Sequence, residues 1–195
     1  MIRFFDLLFS ILALILLSPV LICIAIIIFL DSKGTVLFIQ PRVGKDNKDF
    51  DLIKFRTMYN DSERSGSLTI GICDHRITGV GHFLRKYKLD ELPQLVNVIK
   101  GDMSLVGPRP EVRKYVDLYT GDQKSVLSVR PGLTDHASLE YINENELLGT
   151  SPDPEKTYIE EIMPAKLELN KKYLQDRSLK NYFRIIGKTL NRIFL

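Results

Sequence analysis

The chain has 195 residues, which is enough for one domain of ordinary size. Its formal net charge of +3 is too small to indicate a nucleic-acid partner, and we expect none. Its two cysteines lie in unlike surroundings and its three histidines show no metal-ligand spacing, so neither a disulfide framework nor a histidine metal site is predicted.

An apolar run near the N-terminus, residues 7–30, contains 24 residues without a charge. About 20 apolar residues form a helix that crosses the core of a bilayer, so this run is long enough for a membrane helix. A cleaved signal peptide fits poorly, because the run is too long and Asp6 lies in the segment that is normally positively charged. Residues 1–32 are therefore predicted to form a membrane segment.

Ser18 and Pro19 lie near the middle of this run. Proline within a helix removes a backbone hydrogen bond and bends the axis, and a neighbouring serine can satisfy the freed backbone group. Two geometries follow: a kinked helix that crosses the membrane, and a sharper re-entrant bend that leaves both ends on one face. The basic and acidic residues that flank the run offset each other, and the residues alone favour the ordinary span.

Residues 36–40 and 50–55 have the composition of two short strands, and the segment between them is rich in turn residues. This pattern predicts a β-hairpin. Lys54 and Arg56 are two residues apart, which places them on one face of the second strand. The pair is either a solvated basic edge or a surface that faces a phosphate.

Residues 59–76 are rich in Ser, Gly, Asp and Asn and are predicted to be a loop. Residues 79–81 follow as a predicted turn, and residues 82–89 as a short helix. Arg85 and two lysines lie in this helix, just before the first acidic pair of the next segment. These cations form either a solvated face or a site that gathers a diphosphate.

The segment that organises the chain is Leu89–Glu111. Its apolar residues recur at helical spacing and Gly101 is a typical helix stop, so the pattern predicts a helix over residues 91–100 with Asp90 at the N-cap. Asp90 is then either a capping residue, which spacing alone favours, or a reactive carboxylate that acts as a nucleophile. The two roles are compatible. Further along, Arg109 lies between two prolines, which favours an extended backbone.

The C-terminal part is predicted to contain a helix over residues 111–127, a turn at residues 130–132, a loop over residues 143–156 and a helix over residues 159–173 with Pro164 as its boundary or kink. The last segment has cations every four residues and apolar residues beside them, which predicts a basic amphipathic helix. It either packs on the domain as an ordinary surface helix or lies on anionic lipid. The residues of this helix that carry the pattern are Lys180, Phe183, Arg184, Ile186, Lys188, Leu190, Arg192 and Ile193.

The run Asp90-Glu91-Leu92-Pro93-Gln94-Leu95, followed by Gly101-Asp102-Met103-Ser104 and Val106-Gly107-Pro108-Arg109-Pro110, resembles the signature of the bacterial sugar transferases, which are monotopic phosphoglycosyl transferases. The similarity extends to Lys54-Phe55-Arg56-Thr57-Met58, Leu84-Arg85 and Arg130-Pro131-Gly132-Leu133-Thr134. It covers most of residues 1–135. So many residues in one order are far more specific than a single short motif.

The resemblance implies an α+β, mostly helical fold. A re-entrant membrane helix over residues 1–32, with Ser18 and Pro19 as its hinge, would precede a catalytic domain over residues 33–195. That domain would hold a small β-hairpin, membrane-surface amphipathic helices and short helices around an active site at the membrane surface. The implied location is the bacterial inner membrane, with the catalytic domain facing the cytoplasm, where nucleotide sugars are found.

The resemblance also implies the reaction. Asp90 would attack the sugar-bearing phosphate of a UDP-sugar and release UMP, and polyprenyl (undecaprenyl) phosphate would then take the sugar-phosphate from Asp90. Asp90 and Glu91 would hold Mg²⁺, or Glu91 would act on a proton. The implied substrate-binding residues are Arg56, Arg85, Gln94, Asn97, Arg109 and Arg130.

The sequence qualifies this expectation in one respect, and rival functions remain. Residues 135–138, together with Asn170 and the pair Asn181-Tyr182, depart from the pattern of the family, so neither the sugar pocket nor any further metal ligand is predicted. Two rival functions remain, a glycosyltransferase that releases UDP and a membrane scaffold without activity. Later glycosyltransferases of a glycan pathway are expected partners.

Overall fold

The structure is a computed structural model that describes residues 1–59 and 74–194. Within these ranges the chain is mostly helical with small β-structure, which confirms the coarse fold prediction. The helices are α1 (Ile2–Asp31), α2 (Gly79–Lys86), α3 (Gln94–Lys100), α4 (Arg113–Val116), α5 (His136–Glu140), α6 (Glu144–Gly149), α7 (Pro154–Thr157), α8 (Met163–Gln175) and α9 (Leu179–Phe194). The strands are β1 (Leu37–Val43), β2 (Asp49–Phe55), β3 (Ser104–Val106) and β4 (Gly132–Thr134). Short 3₁₀ segments cover Lys45–Asn47, Leu89–Glu91 and Gln123–Ser128, and a π-helical turn covers Tyr158–Ile162.

Helix α1 contains Pro19 and continues through it as one helix of 30 residues. Proline cannot donate to the carbonyl four residues earlier, which here belongs to Ile15. The Ser18 hydroxyl donates to that same carbonyl over 2.8 Å, so the serine satisfies the acceptor that the proline leaves open. By length and composition α1 could cross a membrane.

The two ends of α1 pack against the rest of the chain, whereas its middle does not. Asp6 near the N-terminus and Ile28 near the C-terminus are each 2% exposed, but Ile15 is 65% and Leu16 is 75% exposed. The apolar surface of α1 is therefore exposed over its central turns, where a soluble protein would normally cover it.

The predicted β-hairpin is confirmed and is longer than expected. Strands β1 and β2 pair antiparallel, from Leu37 opposite Phe55 to Val43 opposite Asp49. In the connection, Asp46 and Asn47 adopt left-handed backbone conformations, which Asp and Asn tolerate better than most residues.

The predicted turn at residues 79–81 is wrong, because these residues form the first turn of α2. The Thr78 hydroxyl accepts a hydrogen bond from the Gly81 amide over 2.9 Å and caps the helix. Gly81 also lies very close to the preceding chain, since a Cβ there would be 2.1 Å from the Thr57 carbonyl oxygen. Most of the predicted loop over residues 59–76 lies outside the described residues.

The segment from Leu89 begins with a 3₁₀ turn, and α3 starts only at Gln94, with Pro93 as the residue before it. The predicted start of the helix, with Asp90 as its N-cap, is therefore wrong. The predicted end is confirmed, because Gly101 adopts a left-handed conformation with φ of 100° and ends α3.

A short parallel pair of strands, β3 and β4, lies beyond α3. The sequence predicted only a turn near β4, since three residues are too few to show a strand period. The two strands can approach because Gly107 and Gly132 meet there: a Cβ on Gly132 would be 2.1 Å from the Gly107 nitrogen.

The predicted helix over residues 111–127 is wrong, because α4 ends at Val116 and a 3₁₀ segment begins at Gln123. The apolar residues of this segment serve the core from irregular backbone: Tyr115, Tyr119 and Val126 pack against α8 in one buried cluster. The predicted loop over residues 143–156 is also wrong, since α6 and α7 form there.

Near the C-terminus, the predicted helical segments are confirmed. Helix α8 begins at Met163, next to Pro164, which a first helical turn accommodates without losing a hydrogen bond. Helix α9 buries Asn181, Tyr182 and Ile185 against the domain and exposes Phe183 and Leu190. The Phe183 ring contacts the rings of two phenylalanines of α1, Phe5 at 5.2 Å and Phe9 at 6.1 Å.

The close approach of Gly81 to the Thr57 carbonyl gives a stability prediction. Gly81→Ala should lower the free energy of unfolding by about 1–3 kcal/mol, because α2 must move away from Thr57 to admit the methyl group. Gly187→Ala is the matched control, because Gly187 is exposed in α9 with nothing within 4 Å of its Cβ position. It should stabilise the helix by about 0.5–1 kcal/mol. Thermal unfolding in detergent measures both, and equal effects would show that the contact is not tight.

Candidate active site

Glu91 lies at the centre of a cluster of charges. Lys54 from β2 donates to Glu91 Oε1 over 3.2 Å. Arg109 from the loop after β3 donates to both Glu91 oxygens, to Oε2 over 3.2 Å. Burial alone would raise the pKa of the Glu91 carboxyl, but Arg109 and Lys54 outweigh burial and hold it well below its usual range. Glu91 is therefore an anion fixed between two cations.

Asp90 is equally buried, with 7% of its surface exposed, but its environment differs. Its Oδ1 is buried and accepts no hydrogen bond within the part of the chain that the structure describes. Burial and then the neighbouring Glu91 raise the pKa of the Asp90 carboxyl, while Lys54 and Arg85 oppose the shift. The capping alternative for Asp90 is therefore wrong, and its carboxylate is left available for chemistry.

The position of Arg109 is set by two neighbouring elements. Its backbone amide donates to Asp135 Oδ2 over 3.2 Å, and the other oxygen of Asp135 caps α5 through the Ser138 amide over 2.6 Å. The Glu91 carboxylate raises the pKa of Arg109 above its ordinary value. The side chain is therefore a permanent cation directed at the acidic pair.

A second layer of contacts supports the loop that carries Arg109, and the sequence did not predict it. Arg42 of β1 donates to the Pro110 carbonyl over 3.2 Å and lies 3.7 Å from the Glu111 carboxylate. Tyr158 donates to Glu111 Oε1 over 2.7 Å. These residues are far apart in the sequence, and no local pattern connects them.

Arg85 of α2 also belongs to the site. Its Nε donates to the Thr57 hydroxyl over 2.8 Å. Burial lowers the pKa of Arg85, and Asp90 is the main influence that raises it again. Lys54, Arg85 and Arg109 thus surround the Asp90–Glu91 pair from three separate elements.

The other predicted substrate-binding residues make contacts elsewhere. The Arg56 guanidinium donates to the carbonyl oxygens of Ser32, over 2.6 Å, and of Lys33, over 3.0 Å, and so holds the end of α1. The Asn97 amide group donates to the Asp51 carbonyl over 2.7 Å, and its oxygen accepts from the Ile53 amide over 3.0 Å. Binding of phosphate by these residues stays a prediction.

Arg130 and Gln94 complete the predicted set. Arg130 is exposed, and its Nε donates to the Gly101 carbonyl over 2.7 Å. Gln94 follows Asp90 by four residues and is 1% exposed, and its Nε2 donates to no described residue. A buried amide donor so close to the acidic pair is consistent with the predicted role in binding, which also stays a prediction.

A metal ion would find one available carboxylate in this arrangement. Both Glu91 oxygens are occupied by Arg109 and Lys54, whereas Asp90 Oδ1 has no hydrogen-bond donor in residues 1–59 and 74–194. Among the described residues no group of three or more potential metal ligands comes together. Mg²⁺ is often held by one or two carboxylates together with the phosphates of a substrate, so Asp90 fits such an ion and Glu91 in its present contacts does not.

Comparison with known proteins identifies the class. The family model described as "Bacterial sugar transferase" matches residues 1–195, and the chain belongs to this family. The chain is 39% identical over 194 residues to the UDP-N-acetylgalactosamine-undecaprenyl-phosphate N-acetylgalactosaminephosphotransferase of Aeromonas hydrophila, covering 98% of this chain and 43% of that protein. It is 34% identical over 193 residues to the UDP-glucose:undecaprenyl-phosphate glucose-1-phosphate transferase of Escherichia coli K12, covering 97% of this chain and 39% of that protein.

A third relative matches more closely over a shorter range. The undecaprenyl-phosphate glucose phosphotransferase of Komagataeibacter xylinus is 50% identical over 109 residues, which is 55% of this chain and 20% of that protein. The chain therefore spans less than half the length of each of these three relatives.

The electrostatics of the acidic pair give a second prediction. The raised pKa of Asp90 means that its ionised form is less stable in the folded chain than in the unfolded one, so this carboxyl costs stability as pH rises through 3.8. Asp90→Asn should therefore increase the free energy of unfolding at pH 7 by on the order of 1 kcal/mol, and the gain should vanish below pH 3.8.

Asp135→Asn is the matched control, because Asp135 is fully buried and accepts from two backbone amides. It should cost on the order of 1–3 kcal/mol, since one of the amides loses a charged acceptor. Denaturant unfolding in detergent at pH 7 measures both variants. If Asp90→Asn destabilised the chain as much as Asp135→Asn, Asp90 would have a structural role.

Proposed function

We propose that this chain transfers a sugar-1-phosphate from a UDP-sugar to undecaprenyl phosphate or a related polyprenyl phosphate, as the first membrane step of glycan assembly. The observation that carries the proposal is the contrast within the acidic pair: Glu91 is neutralised by two cations, while the buried Oδ1 of Asp90 accepts no hydrogen bond from any residue that the structure describes. The names of two relatives, in Aeromonas hydrophila and Escherichia coli, support the two substrates.

In the proposed first step, a carboxylate oxygen of Asp90 attacks the phosphorus that carries the sugar. The bond from this phosphorus to the bridging oxygen breaks, and UMP leaves with the electron pair. In the second step, an oxygen of the polyprenyl phosphate attacks the same phosphorus and the Asp90 carboxylate is released. The product is a polyprenyl-diphosphate-sugar, and Asp90 returns to its starting state.

The surrounding charges suit this chemistry. An anionic nucleophile that approaches a diphosphate is repelled unless cations neutralise the phosphate oxygens. Arg109 and Arg85 approach the pair from two elements, and guanidinium groups can bind phosphate oxygens in a bidentate manner. In this proposal Glu91 orients Arg109 and Lys54 beside Asp90 and has no need to bind the metal itself.

Mg²⁺ is proposed as the cofactor, with Asp90 as the ligand that the chain supplies and the diphosphate oxygens as the others. Bound there, the ion would supply additional positive charge on the phosphates. Glu91 would join as a ligand only if Arg109 or Lys54 moved away. In the alternative role, Glu91 would act on a proton. Its ion pairs with Lys54 and Arg109 require the ionised carboxylate, so protonation of Glu91 would weaken them.

We further propose that α1 is re-entrant, with Ser18 and Pro19 at its tip. The support comes from its ends, because Arg3 donates to carbonyl oxygens of α3 and Ile28 packs on Phe55 and Leu84. An ordinary span would place Met1 and the domain on opposite sides of the membrane, and the N-terminal contacts would then be lost. The exposed middle of α1 is the part that would enter the lipid.

Helix α9 is proposed to lie on the membrane surface beside α1. One face of it packs on the domain, and exposed apolar residues, Phe183 and Leu190, continue from the phenylalanines of α1. The lysines and arginines of α9 would then meet anionic lipid headgroups. The proposed location is the bacterial inner membrane, with the domain on the cytoplasmic face, where UDP-sugars and later glycosyltransferases are available.

The reaction is tested by the nucleotide that is released. Full-length protein in detergent, with Mg²⁺ and undecaprenyl phosphate, should release UMP from one or two members of a panel of UDP-sugars, and Asp90→Asn should lower the rate at least about 10³-fold, because the nucleophile is lost. Asp31→Asn, at the exposed end of α1, is the matched control and should keep the wild-type rate.

Release of UDP in place of UMP would favour the rival glycosyltransferase. An Asp90→Asn variant with full activity would exclude the covalent mechanism. Absence of turnover across a broad panel, in protein that unfolds cooperatively, would favour the membrane scaffold.

The re-entrant geometry is tested by labelling. In a chain whose Cys23 and Cys73 are replaced by serine, a cysteine added before Met1 and a cysteine at the hairpin tip, Lys45→Cys, should both react with an impermeant maleimide from the same face of sealed vesicles. A Leu16→Cys variant, in the lipid-facing middle, should stay unlabelled from either face. Labelling of the first two sites from opposite faces would show that α1 crosses the membrane.

A further inference from the structure

The N-terminal end of α1 carries a carboxylate that the proposed reaction does not use. Asp6 is 2% exposed and accepts hydrogen bonds from three donors: the Ser104 hydroxyl at 2.9 Å, the Leu105 amide at 2.9 Å and the Tyr182 hydroxyl at 2.9 Å. The donors belong to the start of β3 and to α9. The two oxygens of a carboxylate can each accept more than one hydrogen bond, so Asp6 can serve all three donors together.

One turn earlier in α1, Arg3 binds the end of α3, which a short connection joins to β3. Its guanidinium donates to the carbonyl oxygens of Val98 over 2.7 Å and Ile99 over 3.1 Å, in the last turn of α3. The last carbonyl groups of a helix have no partner within the helix, and a cation there also interacts favourably with the helix dipole. The Val98 carbonyl also accepts from the Gly101 amide over 3.1 Å, so Arg3 adds a second donor there and a donor to the Ile99 carbonyl.

These two residues hold the connection between the two halves of the candidate active site. Helix α3 starts just after Asp90 and Glu91 and ends at the carbonyl groups that Arg3 binds. Strand β3 starts at Ser104, which Asp6 binds, and ends at Val106, three residues before Arg109. The ion pair between Arg109 and Glu91 joins the turn before α3 to the loop after β3. Both α3 and β3 are bound to the first turns of α1.

Apolar contacts surround the polar ones. Ile2 and Phe5 of α1 pack against Val106 of β3 and against Tyr182 and Ile185 of α9 in one cluster. Burial raises the pKa of Tyr182 and the nearby Asp6 carboxylate raises it further, so the phenol stays a hydrogen-bond donor. The polar contact is therefore shielded from solvent, and removing one partner would leave another buried polar group unsatisfied.

We propose that Asp6 and Arg3 are positioning residues for the transfer reaction: the N-terminal turn of the membrane helix holds α3 and β3 so that Arg109 meets the Asp90–Glu91 pair. The inference rests on the proposed function for its effect on catalysis, and on the described contacts for its effect on structure. The membrane helix is in this view a part of the active-site framework as well as an anchor.

The experiment compares Asp6→Asn with Asp31→Asn in full-length protein reconstituted in nanodiscs. The asparagine keeps the shape of Asp6 but removes the charge and one acceptor. We expect kcat for UMP release to fall at least about tenfold with KM for the UDP-sugar changed less than about twofold, because misplacement of a catalytic group slows the chemical step more than binding. Asp31→Asn should match the wild type in both constants.

A second measurement does not depend on activity. Hydrogen exchange followed by mass spectrometry should show faster exchange in Asp6→Asn over residues 101–111, which contain two of the three donors to Asp6, Ser104 and Leu105, and the loop of Arg109. Exchange in the hairpin, residues 37–55, should stay at the wild-type rate. This readout separates a local loss of positioning from general unfolding, which would raise exchange everywhere.

If Asp6→Asn does not fold, Tyr182→Phe replaces it as the test variant. This change removes one hydrogen-bond donor to Asp6 and leaves the carboxylate in place. It should lower kcat about threefold, with the same pattern of exchange in a weaker form. Tyr87→Phe, at the exposed residue that follows α2, is its matched control and should leave kcat unchanged.

The outcomes separate this inference from the proposed function. If wild-type protein releases no UMP, the proposed function fails, and the exchange comparison decides by itself whether Asp6 holds residues 101–111. If wild-type protein is active and Asp6→Asn keeps full kcat, or if exchange over residues 101–111 does not change, the positioning role is wrong. A rise in KM at constant kcat would also overturn it, since the defect would then lie in substrate binding.

Discussion

The ion pairs of Glu91 with Lys54 and Arg109 are the interaction on which the rest of the structure depends. All three side chains are largely buried, and a buried charge that loses its partner costs on the order of 3–5 kcal/mol. Lys54 comes from the hairpin, Glu91 from the turn before α3 and Arg109 from the loop after β3. These three segments must therefore meet in one arrangement, and the hydrogen bonds of Asn97, Asp135 and Arg42 hold them there.

The same cluster makes two adjacent carboxylates different. Cations satisfy Glu91 and keep it ionised, whereas burial and the neighbouring charge act against ionisation of Asp90. Neighbouring acids whose pKa values are driven apart are typical of active sites, because each acid then has its own chemical role. Burial, the neighbouring charge, and the absence of a hydrogen-bond donor to Asp90 Oδ1 among the described residues are the observations behind the proposed role of Asp90 as the reactive residue.

Helix α1 is joined to this site at both ends. Arg56 holds the C-terminal carbonyl groups of α1 beside β2, and Asp6 and Arg3 hold its N-terminal turn against β3 and α3. Polar groups at the two ends are buried in the domain, and the apolar surface between them is exposed. This distribution of contacts supports the proposed position of the active site at the surface of a bilayer.

The sequence by itself determined the features that depend on neighbouring residues: the apolar α1 with its Ser18–Pro19 pair, the hairpin, the end of α3 at Gly101, the amphipathic α9 and the acidic pair within a family signature. Only the tertiary structure decided that Asp90 does not cap α3, that Arg56 and Asn97 join elements of the fold, and that residues 111–127 enter the core without a long helix. Contacts such as Lys54 with Glu91 or Asp6 with Tyr182 join residues far apart in the chain. No local periodicity encodes such contacts, because they form only when the elements pack.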